Sequence, residues 1–90
     1  MPYINPERRR QINVGGKPVT TGELNYAITR AIIQFVEGQM IVHGGLRYIT
    51  INDVRGAVEG AKLEFERRVA FPYEDKAIAK NGDVYPAEMV

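Results

Sequence analysis

Apolar residues recur at helical spacing in two stretches of this chain, and the pattern fixes architecture before it says anything about chemistry. Leu24, Ile28, Ala31, Ile32 and Phe35 return at three- and four-residue steps, while Asn25, Arg30, Gln34 and Glu37 fall elsewhere, which predicts a first helix over 21–41. Its start is marked by Thr20-Thr21-Gly22-Glu23: a threonine hydroxyl can accept an exposed amide of the first turn, with a glutamate three residues on. Gly38 begins its end, Met40 to Val42 extend it by a turn, and His43-Gly44-Gly45 break it. The second stretch, Val54, Val58, Ala61, Phe65 and Val69, steps by four, three, four and four and predicts a helix over 51–70. Thr50 or Asn52 can cap it, Asp53 suits its positive first turn, and Leu46 to Ile49 reads as a short connection of strand-like composition.

The flanks are marked by breakers. Pro2, Pro6, Pro18 and Gly15-Gly16 argue for an extended or irregular arm over 1–20, docking through Tyr3, Ile4, Ile12 and Val14. Pro72 disfavours helical geometry at Phe71, so the second helix is expected to kink or restart as a third helix or kinked extension over 72–81, with Asn81-Gly82 as its stop and 82–90 as a tail. The fold class is therefore mainly α: one small domain over 1–90, built on an antiparallel helical hairpin with irregular arms at both ends.

Size changes that picture. A chain of 90 residues buries only about 60–65% of the surface its unfolded form exposes, and small scaffolds need reinforcement. Cysteine is absent, which removes disulfides and thiolate metal ligands and leaves oligomerisation as the expected route to stability. A homo-oligomer would bury either the glycine-marked side of the second helix, Gly56, Gly60 and Leu63, continued by Arg67, or the apolar remainder of the first helix, including Ile33, Val36 and Met40. Two glycines one turn apart inside a helix each cost about 0.5–1 kcal/mol relative to alanine, which suits the close approach of another backbone. No apolar run approaches a membrane span, and the start lacks the character of a signal peptide, so a soluble, cytoplasmic protein is expected.

Charge adds little. The net value is +1, with Arg8, Arg9 and Arg10 giving the first twenty residues a basic bias that alone does not support nucleic-acid binding. His43 stands without a second histidine or any cysteine, so neither a metal set nor a nucleophile–base pair forms; no cofactor and no catalytic residue is expected. Glu59, Glu64, Glu66, Glu74 and Asp75 are interleaved with Arg and Lys as on a solvated helix face. One constellation stands out as a candidate binding site for an anionic, nucleotide-like small molecule: Arg67 and Arg68, then Tyr73, Lys76, Lys80 and Tyr85. Arginine forks onto phosphates and tyrosine stacks on bases, although Glu64, three and four residues before the arginines, also fits ordinary helix-surface ion pairs.

Several segments carry a resemblance: Gly22-Glu23-Leu24-Asn25-Tyr26 with Ile28-Thr29-Arg30, Asn52-Asp53-Val54, Leu63-Glu64-Phe65 to Arg67-Arg68, Pro72 to Lys76 and Asn81 to Tyr85. Over roughly residues 20–85 the chain resembles a family of small uncharacterised proteins of bacteriophages and bacterial prophage regions. The resemblance implies a phage or prophage setting and supplies no activity and no functional residue. It leaves two expectations: a non-enzymatic accessory or counter-defence protein that sequesters a nucleotide-like anion at subunit interfaces, or an inhibitor or assembly factor that binds a host or phage protein through a helix face.

Overall fold

The computed structural model describes residues 4–90. It is helical: α1 spans Pro6–Asn13, α2 Thr21–His43, α3 Tyr48–Phe65 and α4 Phe71–Asn81, with a π-helical turn at Glu66–Ala70 and a 3-10 turn at Ala87–Met89. Among the described residues there is no strand. The single domain expected over 1–90 is described as two units, Met1–Val54 and Arg55–Val90.

The first unit corrects the expectation of an extended N-terminal arm. Asn5 caps α1, its side-chain oxygen accepting the Arg8 amide at 2.9 Å, and Pro6 occupies the first helical position, where its fixed φ and missing amide hydrogen cost nothing. A proline that reads as a breaker therefore starts a helix. The end of α1 is set by glycines. Gly15 has φ +103°, and a Cβ on Gly16 would lie 2.7 Å from the Gln11 carbonyl oxygen, a distance only glycine avoids. The Gly15 and Gly16 amides donate to the carbonyls of Ile12 and Gln11 at 3.0 and 2.8 Å.

The packed pair of this unit is α1 on α2. Ile12 is buried, and Ile4 Cγ2 sits 3.5 Å from where Gly22 would carry a Cβ. Val14, expected to dock, stands 87% exposed, and Tyr3 lies outside the described residues. The contact uses a polar flank of α2: Gly22, Glu23, Tyr26, Ala27 and Arg30 are buried or half-buried at steps of one, three and four residues. At the centre of this flank Arg8 forks onto Glu23, Nη2 at 2.6 Å from Oε1 and Nε at 3.0 Å from Oε2. Arg8 Nη2 also donates to the Lys17 carbonyl at 3.2 Å, and Nη1 donates to the Gln11 side chain. Tyr26 Oη donates to Asn13 Oδ1 at 2.8 Å.

The N-terminus of α2 forms where its capping residues predict. Thr20 Oγ1 accepts the Glu23 amide at 3.1 Å, and the Glu23 carboxylate accepts the Val19 amide at 2.9 Å as well as the arginine. At its far end α2 runs through Gly38 to His43, two residues beyond the predicted limit. A left-handed Gly44 (φ +76°) ends it, with the Gly45 amide donating to the Met40 carbonyl at 3.0 Å. Arg47 then joins two helices: its guanidinium donates to the His43 carbonyl at 3.2 Å, and its own carbonyl accepts from the Thr50 and Ile51 amides at 3.1 and 3.3 Å. That places Tyr48 and Ile49 in the first turn of α3 instead of in a strand-like connection, and Thr50, expected as a cap, inside the helix at 2% exposure.

In the second unit the segment expected as a third helix or kinked extension over 72–81 is α4, Phe71–Asn81, entered through the π turn with Pro72 in its first turn. Phe71 keeps helical geometry (φ −63°, ψ −47°), and its amide reaches back five residues to the Glu66 carbonyl. A proline ring crowds the preceding turn and gives it no hydrogen; a widened turn just before it absorbs both effects, so backbone that is helical at Phe65, Ala70 and Phe71 leads into α4. Between Arg55 and Val90 no residue is buried.

The Arg8 guanidinium, followed by the Val19 amide, holds the Glu23 carboxyl down at about 2, below its ordinary value of 4.5. The same hydrogen bond raises the pKa of Arg8. Because the folded value is the lower one, Glu23 contributes stability that is complete above pH 4.5 and lost as pH falls toward 2. Acid titration followed by NMR of the Ile12 methyls should show α1 loosening from α2 in that window, and Glu23→Gln should loosen it already at neutral pH. A wild-type Ile12 signal unchanged down to pH 2 would contradict this.

Candidate functional site

Of the residues the sequence nominates for binding an anion, Arg67 and Arg68 are brought together, and by Glu64. Arg67 Nη2 lies 3.0 and 2.9 Å from the two Glu64 oxygens, and Arg68 Nη1 lies 3.6 Å from Oε1. These are helix-surface ion pairs at three- and four-residue spacing, with side chains more than half exposed, and such pairs contribute about 0–1 kcal/mol. Both guanidinium groups thus converge on a carboxylate of their own helix, and no hydrogen bond or ion pair joins Tyr73, Lys76 or Lys80 to them among the described residues. Tyr73, Lys76 and Lys80 share one face of α4 by their three- and four-residue spacing and are exposed.

Tyr85 belongs to a different feature. The chain turns after α4 at Gly82, whose φ is +89° and whose amide caps the Ile78 carbonyl at 2.8 Å. The Tyr85 amide then donates to Asp83 Oδ1 at 2.9 Å. This turn folds beside the helix end and leaves an open hollow of about 300 Å³ between Ala77, Ile78 and residues 81–85. Its lining holds no lysine or arginine, so it offers an anion nothing to pair with.

The glycine-marked side of α3 is open. A Cβ added to Gly56 or Gly60 meets no atom within 4 Å, and Leu63 beside them is exposed. Packing within the chain therefore does not account for these glycines.

Two features escape a reading of the sequence. One is the Arg8–Glu23 clamp. An arginine in a basic run and a glutamate in a capping sequence, 15 residues apart, carry no local signal of their pairing. The other is Arg30, four residues after Tyr26 on α2, which is half-buried with its Nε lacking a hydrogen-bond partner among the described residues. The clamp offers no free acid or base: both carboxylate oxygens accept from Arg8, and one also accepts from the backbone. Among the described residues no three of His, Cys, Asp and Glu are gathered to hold a metal ion, and no helix is long and apolar enough to cross a membrane.

Fold and surface together define a small all-helical chain with open helix faces. Residues 1–84 match the model of a family described as a domain of unknown function, DUF6899, and the chain belongs to that family. No curated protein and no solved structure matches it.

Gly60→Ala, free of any clash in the chain, should raise stability by about 0.5–1 kcal/mol in thermal unfolding, with the sedimentation of the protein unchanged. A loss of association instead would assign this side to a subunit contact.

Proposed function

We propose that this chain is a non-enzymatic, self-associating binding protein, an assembly factor or protein inhibitor that works through apolar helix faces. One observation carries the reading. Of the stripe of α2 predicted to form the interior, Leu24, Ile28 and Phe35 stand at 51%, 45% and 42% exposure with Ile32 half-buried between them, while α1 occupies the flank beside it. Docking a helix on the polar side holds α2 in place and leaves the apolar side for another protein surface. Contiguous apolar surface of this kind marks protein contacts in soluble proteins. The apolar stripes of α2 and of α3, intended by their pattern for a helical hairpin, are completed in this reading by a second copy, and a host or phage protein docks on what the assembly leaves open.

The alternative of a nucleotide-like anion at Arg67, Arg68, Tyr73, Lys76, Lys80 and Tyr85 has less behind it, because the two arginines are engaged by Glu64 and Tyr85 lies at an apolar hollow. In the phage setting implied by the resemblance, the protein acts in the host cytoplasm as an accessory or counter-defence factor.

Sedimentation velocity over a wide concentration range tests the reading. Wild type should associate, and Ile28→Asp with Phe35→Asp should reduce the mass of the assembly, since each buried side chain contributes about 1.5–3 kcal/mol at such a contact. Arg67→Ala should leave association unchanged. A monomer at every concentration, or an assembly indifferent to the two aspartates, would reject the proposal.

A further inference from the structure

Along α3 and into the π turn, Arg55, Glu59, Lys62 and Glu66 alternate in sign at steps of four, three and four residues, so they form one row on the helix. The ordinary account of such a row is a set of ion pairs within the helix, yet none of the four takes part in an ion pair among the described residues, whereas Glu64, Arg67 and Arg68 do. Beside this row, on the neighbouring strip of the same helix, stand Val58, Phe65 and Val69, at 41%, 59% and 52% exposure. An apolar seam edged by a charged row is the anatomy of a helix that pairs with another helix.

The sign pattern selects the occupant. We infer that the Arg55–Glu66 stretch pairs antiparallel with the same stretch of a second copy, about a two-fold axis level with the Gly60–Ala61 peptide bond. This deepens the self-association reading above and rests on it. In that arrangement positions equally far from the axis come level across the seam. Arg55 faces Glu66 of the second copy, Glu59 faces Lys62, and the symmetry repeats both pairs, so every charge in the row meets its opposite. Val58 comes level with position 63 of the second copy, two residues short of its Phe65, so the two apolar side chains meet about 3 Å out of level across the seam, and the Lys62 stem lies along the seam while its ammonium reaches the edge. A parallel two-fold pairing would carry the row to opposite edges of the seam in the two copies, so its charges would not meet their opposites. Glu64 and Arg67 point away from this seam by their angular positions and keep their own pairing.

Arg55 and Glu66 are the decisive pair, because eleven steps along a helix, about 16 Å, keep them from meeting within one chain. Arg55→Glu and Glu66→Arg should each weaken association of the full chain about tenfold at low salt, and the doubly reversed chain should recover wild-type association. Rescue cannot come from within the helix, since each reversal also sets a like charge four residues from its neighbour, Glu59 or Lys62, and the double variant keeps both of those repulsions. Association unaffected by the single reversals, or not recovered in the double, while Ile28→Asp with Phe35→Asp still reduces the assembly, would overturn the α3 pairing and leave the broader function standing. A wild-type chain that is monomeric throughout would overturn both.

Discussion

A helix in water is marginal until one of its faces is covered, and covering faces is what this chain does least within itself. Helix formation carries a costly nucleus, and most helical stability in proteins comes from packing of an apolar side. Among the described residues a single apolar one, Ile12, is buried, together with Glu23 and Thr50. No disulfide exists to supply the difference, and a chain of this size has little interior to spare. The stripes of α2 and of α3 and α4 are well formed as patterns and open as surfaces. Every functional reading of the molecule follows from what closes them.

The ion pair that joins α1 to α2 is informative in its position. Arg8 and Glu23 join α1 to α2 through a forked ion pair with the carboxylate further held by a backbone amide. Such a contact is directional where an apolar one is not, so it fixes α1 on a chosen flank. Because that flank is polar, docking costs the protein none of its apolar stripe. The cap of α2 and the clamp share the same glutamate, which couples the start of the long helix to the docking of the short one. Acid that protonates Glu23 weakens both.

Much of this architecture was legible in the chain. Periodicity located α2 and α3, the Thr20–Glu23 capping pattern placed the start of α2 at the right residue, and Gly44 and Gly82 ended helices as glycines do. Two places differ for physical reasons. Pro6 reads as a breaker but opens a helix after a capping Asn5, whereas the expected third segment after Pro72 is present as α4, joined through a wider turn. Leu46–Ile49 reads as a short connection of strand-like composition, but Arg47 organises the end of one helix and the start of the next, so Tyr48 and Ile49 are helical. Of the candidate site, the Glu64–Arg67–Arg68 pairing was readable from spacing alone. The Arg8–Glu23 clamp was not, because long-range pairing of charges leaves no trace in a local pattern.

In the proposed reading, a protein built this way is stable only in company. Hydrogen exchange measured residue by residue as a function of protein concentration tests it directly. If a second copy covers the open stripes, amides of α3 and α4 gain protection as concentration rises, whereas those at the α1–α2 contact around Ile12 and Glu23 change less. Protection that is strong across residues 55–81 and independent of concentration would contradict the account, because a helical run without a buried residue would then be holding itself together alone.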